Sequence, residues 1–68
     1  MSGSLDNLVR MANQIAANLT HEADPAAAVA EHIRLFWDPR MKRMIFDHDG
    51  TGLSPVAAQA IAALKASA

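Results

Sequence analysis

Hydrophobic positions recur at helical spacing in four segments of the chain, and a start or stop signal bounds each one. In the first, Leu5, Leu8, Val9, Ala12, Ile15, Ala16 and Leu19 fall on one stripe about 120° wide at about 100° per residue. Arg10, Asn13, Gln14, Ala17 and Asn18 fill the opposite side. Ser4 is placed to cap this helix, the pattern carries it to about Leu19, and Thr20–Ala23 breaks it. A second helix opens at Asp24-Pro25, where a carboxylate takes an orphan N–H and proline has none to lose. Its apolar stripe is Ala26, Val29, Ala30, Ile33, Phe36 and Trp37.

Asp38-Pro39 repeats the signal. The residue before a proline is pushed out of the α region, so the second helix should end at about Trp37 and a third begin at Pro39. Met41, Met44 and Ile45 share a face of the third, with His48 one turn on. Gly50 and Gly52 are suited to the left-handed conformations of a C-cap and turn. Ser54-Pro55 starts a fourth helix to about Lys65, with Val56, Ala57, Ala60, Ile61 and Leu64 inward. The expected fold is all-α, a compact bundle of about four short helices forming a single helical domain over residues 1–68.

Two residues fall off these stripes. Leu35 lies about 180° from the centre of the second helix's apolar face, and Phe46 about 120° off the third's. Either the unit wraps the third helix on two sides and hides both, or they form an outward apolar surface. Arg34 and Arg43 would rim that surface, as at a partner-binding site.

Composition sharpens this. Fifteen of the 35 apolar residues are Ala, which favours helix and close helix approach but buries little area per residue. A chain of 68 residues built this way is expected to be marginal alone. There is no Cys, hence neither a disulfide nor a thiolate metal site. Net charge is −1, which argues against nucleic acid and membrane surfaces as partners, yet four of the six cations are Arg34, Arg40, Lys42 and Arg43. No apolar run is long enough to span a bilayer, the N-terminus does not read as a signal peptide, and a cytoplasmic location is expected.

Candidate chemistry is sparse. Asp47-His48-Asp49-Gly50-Thr51-Gly52 resembles the middle of a calcium-binding EF-hand loop, but the end positions would be Ile45 and Val56, so both obligatory carboxylates are missing. His21, His32 and His48 lie on three different elements without the i, i+4 spacing of a helical zinc site. The serines fall at caps or in tails, and the glycines form no phosphate cradle. No catalytic residue, cofactor-binding residue or metal ligand is expected, and the chain is not expected to be an enzyme by itself.

The wording of two stretches goes further. Met11–Asn18 (MANQIAAN), then Val29-Ala30-Glu31-His32-Ile33 and Phe36-Trp37-Asp38-Pro39-Arg40-Met41, resembles the small delta subunit of soluble, NAD-dependent, molybdenum-containing formate dehydrogenases. Gly52-Leu53-Ser54-Pro55 and its Ala-rich helix are similar to the same family's ending. The resemblance implies a non-catalytic accessory subunit that assembles or stabilises a cytoplasmic complex converting formate and NAD⁺ to CO₂ and NADH. In such a complex an alpha subunit carries bis-molybdopterin guanine dinucleotide and iron–sulfur clusters. The beta subunit carries FMN and the NAD site, and gamma adds further iron–sulfur relay. The delta chain is expected to hold none of these cofactors. The expected core is Phe36, Trp37, Met41 and Met44, and the expected partner-binding edge is Arg34, Leu35, Arg40, Lys42, Arg43 and Phe46. The competing readings are a generic helical adaptor and a small nucleic-acid-binding regulator.

Overall fold

A computed structural model describes residues 3–67. It contains α1 (Gly3–Asn18), α2 (Pro25–Phe36), α3 (Pro39–Asp47) and α4 (Pro55–Ser67), with no strand among the described residues. The all-α expectation holds, and the three cap–proline pairs account for it. Asp24 Oδ1 accepts from the Ala27 amide at 3.2 Å, Asp38 Oδ1 from Met41 at 2.9 Å, and Ser54 Oγ from Ala57 at 3.3 Å. Each satisfies an orphan donor of the first turn, while the proline behind it has no N–H to satisfy. Asp38 is extended (φ −77°, ψ 168°) ahead of Pro39, and Trp37 (φ −85°, ψ 139°) closes α2 by donating its N–H to the Ile33 carbonyl at 3.0 Å.

Three boundaries differ from expectation. Ser4 is not the cap of α1, because the helix already includes Gly3. The C-cap of α3 is His48 in extended geometry, so Gly50 (φ 95°) and Gly52 (φ 87°) serve the following turn and not the helix end. At the other end α4 continues two residues beyond Lys65 to Ser67, whose hydroxyl donates to the carbonyls of Ala63 (3.2 Å) and Leu64 (3.3 Å).

The core is centred on Ile33, Ile45 and Val29, all fully buried. Ala12, Ala16, Ala57 and Ala60 are buried beside them, and these methyl-sized contacts let α1, α2 and α4 lie close together. Leu8, Ile61 and Leu64 extend the core, with Trp37 at 5% exposure the one large aromatic in it. α2 and α4 share the most extensive packing, and α3 rests on α1 and α4. No polar side chain is buried among the described residues.

Three residues depart from the helical stripes. Phe36, expected in the core, is 71% exposed. Phe46 is half-buried against the core rather than pointing away from it, whereas Leu35 is 58% exposed. The wrapped and outward readings are therefore split between the two off-stripe residues. Asn13, assigned to the solvent side of α1, is instead half-buried and reaches across to the turn before α4. Its Nδ2 donates to the Gly52 carbonyl and its Oδ1 accepts from the Ser54 amide, both at 2.8 Å.

Candidate interaction surface

The cations and off-stripe residues of the expected edge do not form one continuous face. Arg34 is held by Glu31 one turn back on α2, with Nη2 to Oε2 at 2.6 Å and Nε to Oε1 at 3.1 Å. These hydrogen bonds and the adjacent opposite charge hold the Glu31 carboxyl below its ordinary pKa and push the Arg34 guanidinium up. Lys42 is half-buried and turned inward to the end of α2, where Nζ donates to the Arg34 carbonyl at 2.8 Å. That is a cation satisfying a terminal carbonyl at the negative end of a helix. Phe46 packs inward. Arg40 and Arg43, one turn apart on α3, are exposed and take part in no ion pair among the described residues.

A different set of side chains converges nearby. Met11, Gln14 and Ile15 of α1, His32 and Phe36 of α2, Trp37 and Met41 line an open groove of about 340 Å³. Trp37, nearly all buried, is part of its lining, and Met41 is half-buried. Phe36 stands on the His32 ring, centroids 4.7 Å apart and tilted by 42°. This is the i, i+4 spacing that brings two side chains onto one helix face. The three large hydrophobic residues exposed among those described are Met11, Leu35 and Phe36; two of them line this groove and the third adjoins Phe36 in sequence. Of the four residues expected in the core, Trp37 lies in it, Met41 and Met44 are half-buried against it, and Phe36 is displaced to the groove.

Met11, Ile15 and His32 were not among the residues expected at a partner surface, although Ile15 keeps its expected place against the core and His32 is half-buried. Met11 fits neither the apolar stripe nor the polar side of α1, and that was the available signal. Its place beside Phe36 depends on how α1 crosses α2, which single-helix periodicity does not contain.

Elsewhere the polar groups are engaged locally. Asp49 Oδ1 accepts from the Thr51 amide at 2.9 Å, and hydrogen bonds from the Thr51 side chain and backbone hold its carboxyl below the ordinary range. His48 Nε2 donates to the Thr51 carbonyl at 2.7 Å. Among the described residues no three His, Asp or Glu side chains gather as metal ligands. No helix among them is long and apolar enough to cross a membrane.

Fold and surface together define a small helical module with an open apolar, aromatic groove formed by residues of α1, α2 and α3 with Trp37. A family model described as "NADH-dependant formate dehydrogenase delta subunit FdsD" matches residues 7–61, which takes in all of α2 and α3 and most of α1 and α4. The chain belongs to this formate dehydrogenase delta-subunit family. No curated protein and no solved structure gives a significant match.

Proposed function

We propose that the chain is a non-catalytic accessory subunit of a cytoplasmic NAD-dependent formate dehydrogenase, binding the larger subunits so that the active complex assembles or persists. The carrying observation is the family match over residues 7–61, a span that contains every residue of the apolar groove. The sequence supports a division of labour: with no Cys, this chain has no thiolates for an iron–sulfur cluster. On this reading the molybdopterin centre, the clusters, FMN and the NAD site belong to the alpha, beta and gamma subunits. The Ala-rich core supports the same reading, since a marginal small domain gains stability from a partner by mass action.

The test is to recover the tagged chain from its own cells under gentle conditions and assay the eluate for formate-dependent NAD⁺ reduction and for molybdenum. Activity together with large co-eluting subunits is the expected result and makes the chain a resident stabiliser. Co-elution of an inactive, metal-free catalytic subunit makes it an assembly factor. Recovery with unrelated proteins, or salt-sensitive retention of nucleic acid, overturns the proposal.

A further inference from the structure

We propose that the Asp49–Gly50 junction, in the turn between α3 and α4, is a self-modifying site at which the folded chain forms a succinimide and then isoaspartate. The reaction needs an Asp carboxyl, a following backbone nitrogen free to attack it, and room for the small ring that results. Asp49-Gly50 is the single place in the sequence where Asp or Asn precedes Gly. Asp24 and Asp38 precede proline, whose nitrogen has no hydrogen to give up, and Asp6 and Asp47 lie within helices.

The turn collects what the reaction needs. Asp49 Oδ1 accepts from the Thr51 amide at 2.9 Å, closing an Asx-type ring that contains both Asp49 Cγ and the Gly50 nitrogen. The carboxyl is thereby kept on the side of the nitrogen that attacks it. The Gly50 amide donates to no acceptor among the described residues. Gly50 has no side chain to shield that nitrogen, and nothing lies within 4 Å of where a Cβ would stand. The Asp49 side chain is 79% exposed, so water reaches it. The bonds from Thr51 also favour the ionised carboxylate, whereas the oxygen leaves from the protonated form. The change is therefore slow, an ageing reaction and not a rapid switch.

In the first step the Gly50 nitrogen bonds to Asp49 Cγ and a Cγ–O bond breaks. The oxygen leaves as water, carrying the carboxyl proton and the amide proton. Water then reopens the ring. Cleavage between the nitrogen and Cγ restores Asp49. Cleavage between the nitrogen and the main-chain carbonyl carbon leaves isoaspartate, with the backbone rerouted through Cβ and Cγ and lengthened by a carbon. No other reactant is consumed. The longer backbone displaces Thr51, whose carbonyl accepts from His48 Nε2 at 2.7 Å, and Gly52, whose carbonyl accepts from Asn13 Nδ2 at 2.8 Å. Ageing at this exposed bond thus frees α1 from the turn that leads into α4.

The experiment ages the full chain in neutral buffer, with and without denaturing urea, and maps the products by peptide mass spectrometry. The succinimide reads as the loss of a water. Isoaspartate is read by electron-transfer fragmentation and by labelling with an S-adenosylmethionine-dependent isoaspartyl methyltransferase. Both products are expected at Asp49 in the folded chain, several-fold above every other Asp or Asn. They should vanish in Asp49→Glu, where the same attack needs a larger ring. Gly50→D-Ala keeps the φ of 95° but sets a methyl beside the nitrogen, and should slow the reaction several-fold. The isolated isoaspartate form should unfold at lower urea than the fresh chain. Products that form only in urea would show that the fold shields this bond and would overturn the proposal, as would products spread evenly over the Asp and Asn residues. An unchanged urea midpoint for the isoaspartate form would overturn the link from this bond to α1.

Discussion

Asn13 of α1 and Ser54, the N-cap of α4, are joined across 41 residues of chain by a 2.8 Å hydrogen bond from the Ser54 amide to Asn13 Oδ1. The same side chain donates to the Gly52 carbonyl, so one amide fixes the turn on both sides of Leu53. Asn13→Ala would strand a part-buried N–H and an acceptor, at a cost of about 1–3 kcal/mol. Asn13→Asp keeps the acceptor for Ser54 but loses the donor for Gly52, and should cost less. Urea denaturation of the two variants gives the order; equal stability of wild type and Asn13→Ala would remove the fastening role.

Trp37 fills the corner where α2 ends, at 5% exposure. Trp37→Ala should open a cavity worth about 3–5 kcal/mol, enough to unfold a marginal domain of this size. Phe36→Ala, one residue earlier but solvent-exposed, should move the thermal midpoint little. Far-UV circular dichroism melts distinguish the neighbours, and a comparable loss in both would show that Phe36 also supports the core.

Gly50 and Gly52 both have positive φ, and only Gly52 has a neighbour close to its missing Cβ, Val9 Cγ1 at 3.4 Å. An L-alanine at either position should cost about 1–3 kcal/mol through backbone strain. D-Alanine at Gly50, introduced by chemical synthesis, reverses the sign: it fits φ 95° and meets nothing within 4 Å. A gain of about 0.4–1 kcal/mol from restricting the unfolded chain is expected. A destabilised Gly50→D-Ala chain would show that this turn needs another geometry.

Two exposed carboxylates are held below their usual range: Glu31 chiefly by its hydrogen bonds from Arg34, and Asp49 chiefly by its hydrogen bonds from Thr51. A lowered native pKa means that the unfolded chain binds the proton more tightly. Their contribution is therefore complete above the ordinary carboxylate pKa and is lost as pH falls through the lowered native values. It should shrink with added salt at Glu31, where the partner is a charge. Carboxyl NMR titration should find both groups low, and Arg34→Gln should return Glu31 to the ordinary range while leaving Asp49 in place. An unmoved Glu31 would contradict the pair.

Much of the helix layout was legible because Asp24-Pro25, Asp38-Pro39 and Ser54-Pro55 are local signals whose chemistry is complete within four residues. The inward positions of α4 were equally readable, since the stripe and the buried set coincide at Ala57, Ala60, Ile61 and Leu64. Phe36 was not. It follows Val29 by seven residues on the same wheel position, yet Val29 is fully buried and Phe36 stands outside. The wheel assumes a covering neighbour along the whole helix. At the last turn of α2 the extended Trp37 takes the buried place instead. Lys42 and Asn13 were misjudged for a related reason: their partners, the Arg34 carbonyl and the 52–54 turn, are set by tertiary approach. The groove combines these two kinds of error, and its residues come from three elements that periodicity treats one at a time.

The seam between the first and last helices also couples distant parts of the described fold. Asn13 finds both its side-chain partners in residues beyond position 50, and α1 packs on α4. The groove is built from residues 11–41, and α4 supports the fold around it without contributing to its lining. Weakening that seam is therefore expected to loosen the groove at a distance, since Asn13, Gly52 and Ser54 fasten the fold without lining the groove.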